Sequence, residues 1–330
     1  MSTRPLSMID LHLHLDGSLA PALVRELART QGLPLPAGSL EEALSAPADC
    51  QSLNDSLRCF DLPVAVLQTR QALTQSVQEL TSRLQGQGLL YAELRFAPSQ
   101  HTRQGLTQRQ VVEAALAGLP QPPAQGRWSF GCQLILCCMR GGEEAANRET
   151  VAVAAHFLGK GVCAVDLAGA EALYPTQEYQ PLFAYAQSLG VPFTLHAGEA
   201  AGPESVWQAL ELGAARIGHG VRAGEDPRLV EELARRRVPL ELCPTSNLQT
   251  KAVPDLAHFP LKKYLAQGVA ATVNTDNMTV SRTTLAQEFA SLRLSPQERR
   301  AVLLHSVEAA FLPPAQKAAL RQAVEAALAH

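Results

Sequence analysis

The 330-residue sequence lacks long apolar runs, a strong net charge and paired cysteine motifs. No apolar stretch approaches the roughly 18 residues of a membrane-spanning helix. The first residues also lack the charged segment followed by an apolar segment that is typical of a signal peptide. The formal net charge is −3, and the longest basic run, Arg235–Arg237, ends a helical pattern. A nucleic-acid groove would need a broader basic stripe. We therefore expect a cytoplasmic protein that binds neither membrane nor nucleic acid.

Cysteine usage excludes a disulfide scaffold. The seven cysteines are an odd number, and none forms a Cys-x-x-Cys pair. Several lie in apolar runs, so we expect small buried side chains in a reducing compartment.

Short runs rich in Val, Ile and Leu alternate with longer amphipathic stretches, which is the pattern of βαβ units in a parallel sheet. Eight runs are present, and eight strands close a barrel. The runs are Met8–Leu15, Leu89–Ala97, Phe130–Met139, Val162–Ala168, Val191–Leu195, Ala215–Gly218, Val238–Leu242 and Val269–Val273. Because no repeat or linker interrupts the chain, the sequence predicts one α/β domain over residues 1–330, a (β/α)8 TIM-type barrel.

Helix signals lie between these runs. Asp226-Pro227 and Ser295-Pro296 each offer an N-cap followed by proline, and Ser295 with Glu298 fits a capping box. The first connection, about 70 residues long, predicts extra helices after the first strand that fold over the barrel mouth. Pro313–His330 predicts a final helix.

Polar residues cluster where the apolar runs finish, and the C-terminal ends of the strands form the active-site face of such a barrel. His12 and His14 lie two apart in the first run, so a strand points both imidazoles to one side. His196 follows the fifth run, and Glu199 comes three residues later. This spacing indicates metal ligands with an acid or base beside them.

Two more strand ends carry ionisable side chains. His219 follows the sixth run, and Asp276 comes after the eighth. Taken alone, each has a structural reading, as a satisfied core histidine or a capping aspartate. Together they favour a metal site, because burying so many ionisable groups without a metal would cost several kcal/mol. No function is predicted for the remaining histidines, which are His101, His156, His258, His305 and His330.

Five motifs occur in a fixed order: His12-Leu-His14-Leu-Asp16-Gly17, His196-Ala-Gly-Glu199, Gly218-His219-Gly220, Cys243-Pro-Thr-Ser-Asn247 and Asn274-Thr-Asp276. From about Met8 to Phe311, the chain resembles the adenosine deaminase family of the amidohydrolase superfamily. The resemblance implies one zinc ion per chain and a water that completes its shell. The implied zinc ligands are His12, His14, His196 and Asp276.

The activity implied by the resemblance is zinc-dependent deamination of adenosine and 2′-deoxyadenosine to inosine and ammonia in purine salvage. By similarity, His219 and Asp276 orient and deprotonate the water, whose pKa zinc lowers towards about 7. Glu199 donates a proton to purine N1, which makes C6 electrophilic. His14 would face the substrate as well as the metal.

Three further positions correspond to substrate contacts in the family. Gly169 matches the glycine whose N–H meets purine N3, and Asp16 matches the acidic residue that reaches the ribose 5′-hydroxyl. An Asp at position 16 favours a nucleoside over a free base, although Asp16 also fits an Asx turn before Gly17. Asn277 departs from the family, in which an aspartate approaches N7 and must share a proton. An asparagine amide can donate to N7 directly.

Two other functions stay open. The chain could deaminate another 6-aminopurine compound, such as adenine or aminodeoxyfutalosine, or it could be an inactive barrel that binds nucleosides or a partner protein. Intact Glu199, His219 and Asp276 argue against the inactive barrel. The other zinc deaminases carry His-x-Glu and Pro-Cys-x-x-Cys, which this sequence lacks. Cys243-Pro244 is therefore expected to form a strand-end turn whose neighbours shape the pocket, not to bind zinc. The oligomeric state has no signature in the sequence.

Overall fold

Eight parallel strands form the centre of the computed structural model, which describes residues 8–47, 50, 58–121 and 128–329. The strands are β1 (Met8–His14), β2 (Leu89–Phe96), β3 (Gly131–Met139), β4 (Val162–Ala168), β5 (Thr194–Ala197), β6 (Arg216–His219), β7 (Leu240–Leu242) and β8 (Ala271–Val273). They pair in sequence order as two four-stranded sheets, β1–β4 and β5–β8. Bridges from Val165 to Phe193 and from Leu13 to Asp276 join the sheets at both seams. The predicted (β/α)8 barrel is confirmed.

Every predicted apolar run overlaps a strand, but the later strands begin further along the chain than predicted. The run Val191–Leu195 gives a strand at Thr194–Ala197, and Val238–Leu242 gives one at Leu240–Leu242. Pro192 and Pro239 explain the late starts, because proline has no N–H to donate to a strand ladder. His196 consequently lies within β5 rather than after it.

Helices surround the barrel. Among the described residues they are α1 (Pro21–Gln31), α2 (Leu40–Ala43), α3 (Asp61–Val66), α4 (Arg70–Gly86), α5 (Gln108–Leu116), α6 (Glu144–Phe157), α7 (Gln180–Ser188), α8 (Pro203–Glu211), α9 (Pro227–Arg236), α10 (Pro244–Gln249), α11 (Leu261–Ala266), α12 (Leu285–Ser291), α13 (Pro296–Ala309) and α14 (Pro314–Leu328). Asp226 caps α9, and Ser295 forms the predicted capping box with Glu298 at α13. The basic run Arg235–Arg237 ends α9, as predicted.

The long connection between β1 and β2 contains α1–α4, which confirms the extra helices after the first strand. Phe60, Asp61 and Val64, at the start of α3, line the cavity above the barrel. The predicted C-terminal helix is α14, and His330 lies outside the described residues. Six of the seven cysteines are buried. Over the described ranges, every helix is too short or too polar to cross a bilayer.

Candidate active site

A cavity of about 390 Å³ opens at the C-terminal ends of the strands, and its size suits a small-molecule site. The structure gathers eight of the nine sequence-predicted site residues in its wall. They are His14, Asp16, Gly169, His196, Glu199, His219, Asp276 and Asn277. The ninth, His12, is fully buried and lies at van der Waals distance from His219, with ring centroids 4.7 Å apart.

Three imidazoles and one carboxylate meet at the cavity floor. Nε2 of His196 lies 3.1 Å from Nε2 of His12 and 3.2 Å from Nε2 of His14. Oδ1 of Asp276 lies 3.5 Å from the same atom of each of these two histidines. The backbone holds Asp276 there: its N–H donates to the His12 carbonyl, and its carbonyl accepts from the His14 N–H. The strands therefore fix the four potential ligand atoms as one cluster.

The spacing of these atoms fits a zinc ion. Ligands about 2.1 Å from a common centre lie about 3.0 to 3.6 Å apart at bond angles of about 90 to 120°. Nδ1 of His12 faces the Glu241 carboxylate at 2.8 Å, and Nδ1 of His196 faces Asp166 at 2.9 Å. Each Nδ1 therefore carries the proton in the neutral ring, which leaves the two Nε2 lone pairs facing each other. A shared proton or a cation must lie between them.

Charged residues beneath the cluster hold these carboxylates. Arg95 donates to Asp166 (3.0 Å) and to Glu241 (2.8 Å), and all three side chains are fully buried. Arg216 donates to the other oxygen of Glu241 at 2.6 Å and pairs with Glu93. Burial opposes ionisation, but the two guanidinium groups hold the pKa of Glu241 well below its usual range. The carboxylates behind the imidazoles are therefore charged.

Glu199 lies beside the cluster of three imidazoles and the Asp276 carboxylate, on the turn after β5. Its Oε1 accepts from the Thr250 hydroxyl at 3.0 Å, and its Oε2 lies 3.4 Å from Nε2 of His219. Burial raises the pKa of Glu199, and the negative charge of Asp276 raises it further, against the opposing effect of His219. A carboxyl group in this position retains its proton to a higher pH than usual, as a general acid requires.

His219 ends β6 with a φ of 60°, a conformation that is uncommon for a residue with a side chain. Gly218 before it leaves little room for a side chain, since a Cβ there would lie 3.1 Å from the His196 Cα and 3.2 Å from the His12 ring. Asn247 Oδ1 accepts the Cys243 N–H, so its amide nitrogen faces Nδ1 of His219 at 3.0 Å. The neutral His219 ring then carries its proton on Nε2, which lies towards Glu199.

The remaining predicted residues line the cavity. Asp16 accepts the Gly17 N–H on one carboxylate oxygen, which is a contact to the next residue and not the i to i+2 bond of an Asx turn. Burial raises the pKa of Asp16 to about 6. Gly169 has a φ of 106°, which favours glycine. Asn277 is 8% exposed, and its Oδ1 has no hydrogen-bond partner within the described part of the chain. This oxygen is a hydrogen-bond acceptor, so the unused capacity lies on the carbonyl side of the amide.

Sequence reasoning missed the charged residues that support the cluster. Glu241 and Arg95 were detectable as charges inside otherwise apolar strands, where a buried charge needs a partner. Glu171, in the loop after β4, had no such signal. Cys243 is buried, and its thiol lies near potential ligand atoms of His12, His219 and Asp276. These four side chains form a second group able to hold a metal ion, which the sequence did not predict.

Known proteins resemble this chain over nearly its whole length. A family model described as adenosine deaminase matches residues 7–327. An adenosine deaminase of Haemophilus ducreyi is 52% identical over 324 residues, which cover 95% of this chain and 94% of that protein. The crystal structure of an adenine deaminase from Arthrobacter aurescens superposes with a TM-score of 0.88 at 28% identity, covering 98% of this chain and 99% of that one. A structure of Arabidopsis ADAL complexed with IMP has a TM-score of 0.86 at 25% identity and covers 98% and 97% of the two chains.

Proposed function

The chain belongs to the adenosine deaminase family and is a hydrolytic deaminase of adenosine, and from this premise we propose how its residues perform the reaction. One barrel domain over residues 1–330 carries the activity and converts adenosine and water to inosine and ammonia. The observation that supports the assignment most strongly is the convergence of three imidazole nitrogens and one carboxylate oxygen beside Glu199.

We propose that one zinc ion per chain is held by His12, His14, His196 and Asp276. Imidazole nitrogens and a carboxylate oxygen are suitable zinc donors, and their spacing supports the assignment. When bound, zinc would act as a Lewis acid and lower the pKa of water in the site. Glu241 and Asp166 keep two of the rings in the tautomer whose Nε2 lone pair faces the metal.

The protein side chains then divide the proton transfers. His219 donates from Nε2 to the attacking water and orients it, and Asp276 accepts the proton that this water loses. Glu199 gives its proton to purine N1, which draws electrons from C6 and opens that carbon to attack. After the C–O bond forms, Asp276 passes its proton to the C6 amino group, and the C6–N bond breaks to release ammonia. The hydroxyl proton left on C6 returns to Glu199 as the carbonyl of inosine forms. The support is the Nε2–H tautomer imposed by Asn247 and the raised pKa of Glu199.

Substrate contacts follow the cavity wall. We propose that the Gly169 N–H donates to purine N3, that the Asn277 amide donates to N7 and that Asp16 accepts the ribose 5′-hydroxyl. His14 contacts the substrate at the metal side of the cavity. Support comes from the position of these residues in the wall of one cavity.

A second candidate substrate is a free base, since an adenine deaminase shares the fold at 28% identity. The test is product analysis with equal concentrations of adenosine, 2′-deoxyadenosine, adenine, AMP and aminodeoxyfutalosine. We expect the two nucleosides to have the highest kcat/KM, with inosine or 2′-deoxyinosine and ammonia released in equal amounts. A preference for adenine would contradict the assignment of Asp16. If the protein converts none of these compounds, the enzymatic function is contradicted.

A further inference from the structure

Glu171 lies in the loop after β4 and binds the turn that carries Glu199. Its Oε1 accepts from the Gly198 N–H at 2.6 Å. Its Oε2 accepts from the N–H groups of Glu199 (3.1 Å), Ala200 (2.7 Å) and Ala201 (3.0 Å). Four successive backbone donors thus converge on one carboxylate, an arrangement that otherwise binds anions such as phosphate.

This carboxylate is an internal part of the fold. Glu171 is 2% exposed, and the Ser205 hydroxyl at the start of α8 contributes a further hydrogen bond. Burial opposes ionisation, but these hydrogen bonds and the charge of Arg140 hold the pKa of Glu171 below its usual value. Without it, the donors at residues 198 and 199 would be buried and unpaired, each at a cost of roughly 1–3 kcal/mol.

The loop after β4 connects the turn that carries Glu199 to the substrate side of the cavity. Gly169 and Ala170, directly before Glu171, line the cavity. Arg140, at the end of β3, donates to the His196 carbonyl at 2.7 Å and to the Thr176 hydroxyl at 2.9 Å. The loops after β3 and β4 therefore hold the main chain at the end of β5 and in the turn that follows it.

We propose that Glu171 is a positioning residue for Glu199: by binding the four N–H groups of residues 198–201, it fixes the direction in which the acid side chain leaves the turn. This inference rests on the proposed function, in which Glu199 protonates N1. Glu171 does not touch the reacting atoms. The position of the proton donor matters because a misplacement of about 1 Å can cost about 10²-fold in rate.

The test compares four zinc-loaded proteins with adenosine: the parent, Glu171→Gln, Glu199→Gln and the double variant. The amide that replaces the Glu171 carboxylate keeps its shape but places a donor against at least one backbone N–H. We expect kcat to fall at least about tenfold in Glu171→Gln, with KM within about threefold and zinc content unchanged. In the Glu199→Gln background, Glu171→Gln should have no further effect on kcat. Glu178→Gln, an exposed carboxylate on the same loop, is the matched control and should behave as the parent.

Each other result is informative. An unchanged kcat in Glu171→Gln, an equal loss in both backgrounds or a rise in KM alone would overturn the positioning role. Parent-level activity in Glu199→Gln would instead refute the proposed acid, and the inference with it. If Glu171→Gln does not fold, Ser205→Ala removes a single hydrogen bond to the carboxylate. It should lower kcat by a smaller factor and again have no effect in the Glu199→Gln background, whereas an effect there would overturn the inference.

Discussion

Oε2 of Glu241 lies 2.8 Å from Nδ1 of His12. This nitrogen is on the side of the imidazole opposite to Nε2, which faces His196 and Asp276. The Glu241 and His12 side chains are fully buried, and Oε2 of Glu241 also accepts from Arg95. Glu241 therefore fixes the ring orientation and its tautomer, and it also balances two buried arginines.

This contact gives a prediction for Glu241→Gln. Metal affinity should fall about 10- to 100-fold, because the ring loses the carboxylate that orients it and raises its basicity. The free energy of unfolding of the metal-free protein should fall by about 3 kcal/mol, because buried guanidinium groups lose a charged partner. Chelator competition and urea unfolding measure the two effects, with the exposed Glu231→Gln as a control. Unchanged metal affinity would show that Glu241 does not support the ligand.

Glu199→Gln should reduce kcat at least about 10²-fold with zinc content unchanged, because an amide has no proton to transfer. The raised pKa of Glu199, caused first by burial, also sets a pH dependence. The acid works protonated, so kcat/KM should fall as pH rises through this pKa, and the variant should lack that alkaline limb. A pH–rate series on both proteins measures this, and the exposed Glu211→Gln should retain the parent profile. Turnover near the parent rate would mean that another group protonates N1.

Asn277 gives a prediction about base recognition. If its amide donates to N7, 7-deazaadenosine should bind more weakly by roughly 1–3 kcal/mol, about ten- to a hundredfold in affinity, because one buried donor stays unpaired. Asn277→Ala should remove most of this discrimination, and the effect of Asn277→Asp should weaken as pH rises. Inhibition constants of 7-deazaadenosine, measured for the parent, Asn277→Ala and Asn277→Asp proteins, test both expectations. Equal binding of adenosine and its 7-deaza analogue would leave Asn277 as a support for Asp276.

The sequence predicted the barrel and the gathering of residues such as His12 and Asp276, because period-two spacing and strand-end position follow from backbone geometry alone. It did not predict which buried charges stand behind them. Glu241 and Arg95 come from strands distant in the sequence, and only barrel closure brings them together. Glu171 left no signal at all in the sequence, since its partners are backbone N–H groups, which every non-proline residue carries.

We propose that this chain deaminates adenosine with one zinc ion held by His12, His14, His196 and Asp276. To test this, the protein is stripped with a chelator, zinc is added in steps, and metal content and inosine formation are followed together. Activity should be absent from the stripped protein and return in proportion to zinc up to about one ion per chain, while His12→Ala and Asp276→Ala should neither bind the metal nor recover. Lowering the pH should release the metal as the imidazoles protonate. A stripped, metal-free protein that still converts adenosine at the full rate would contradict the account.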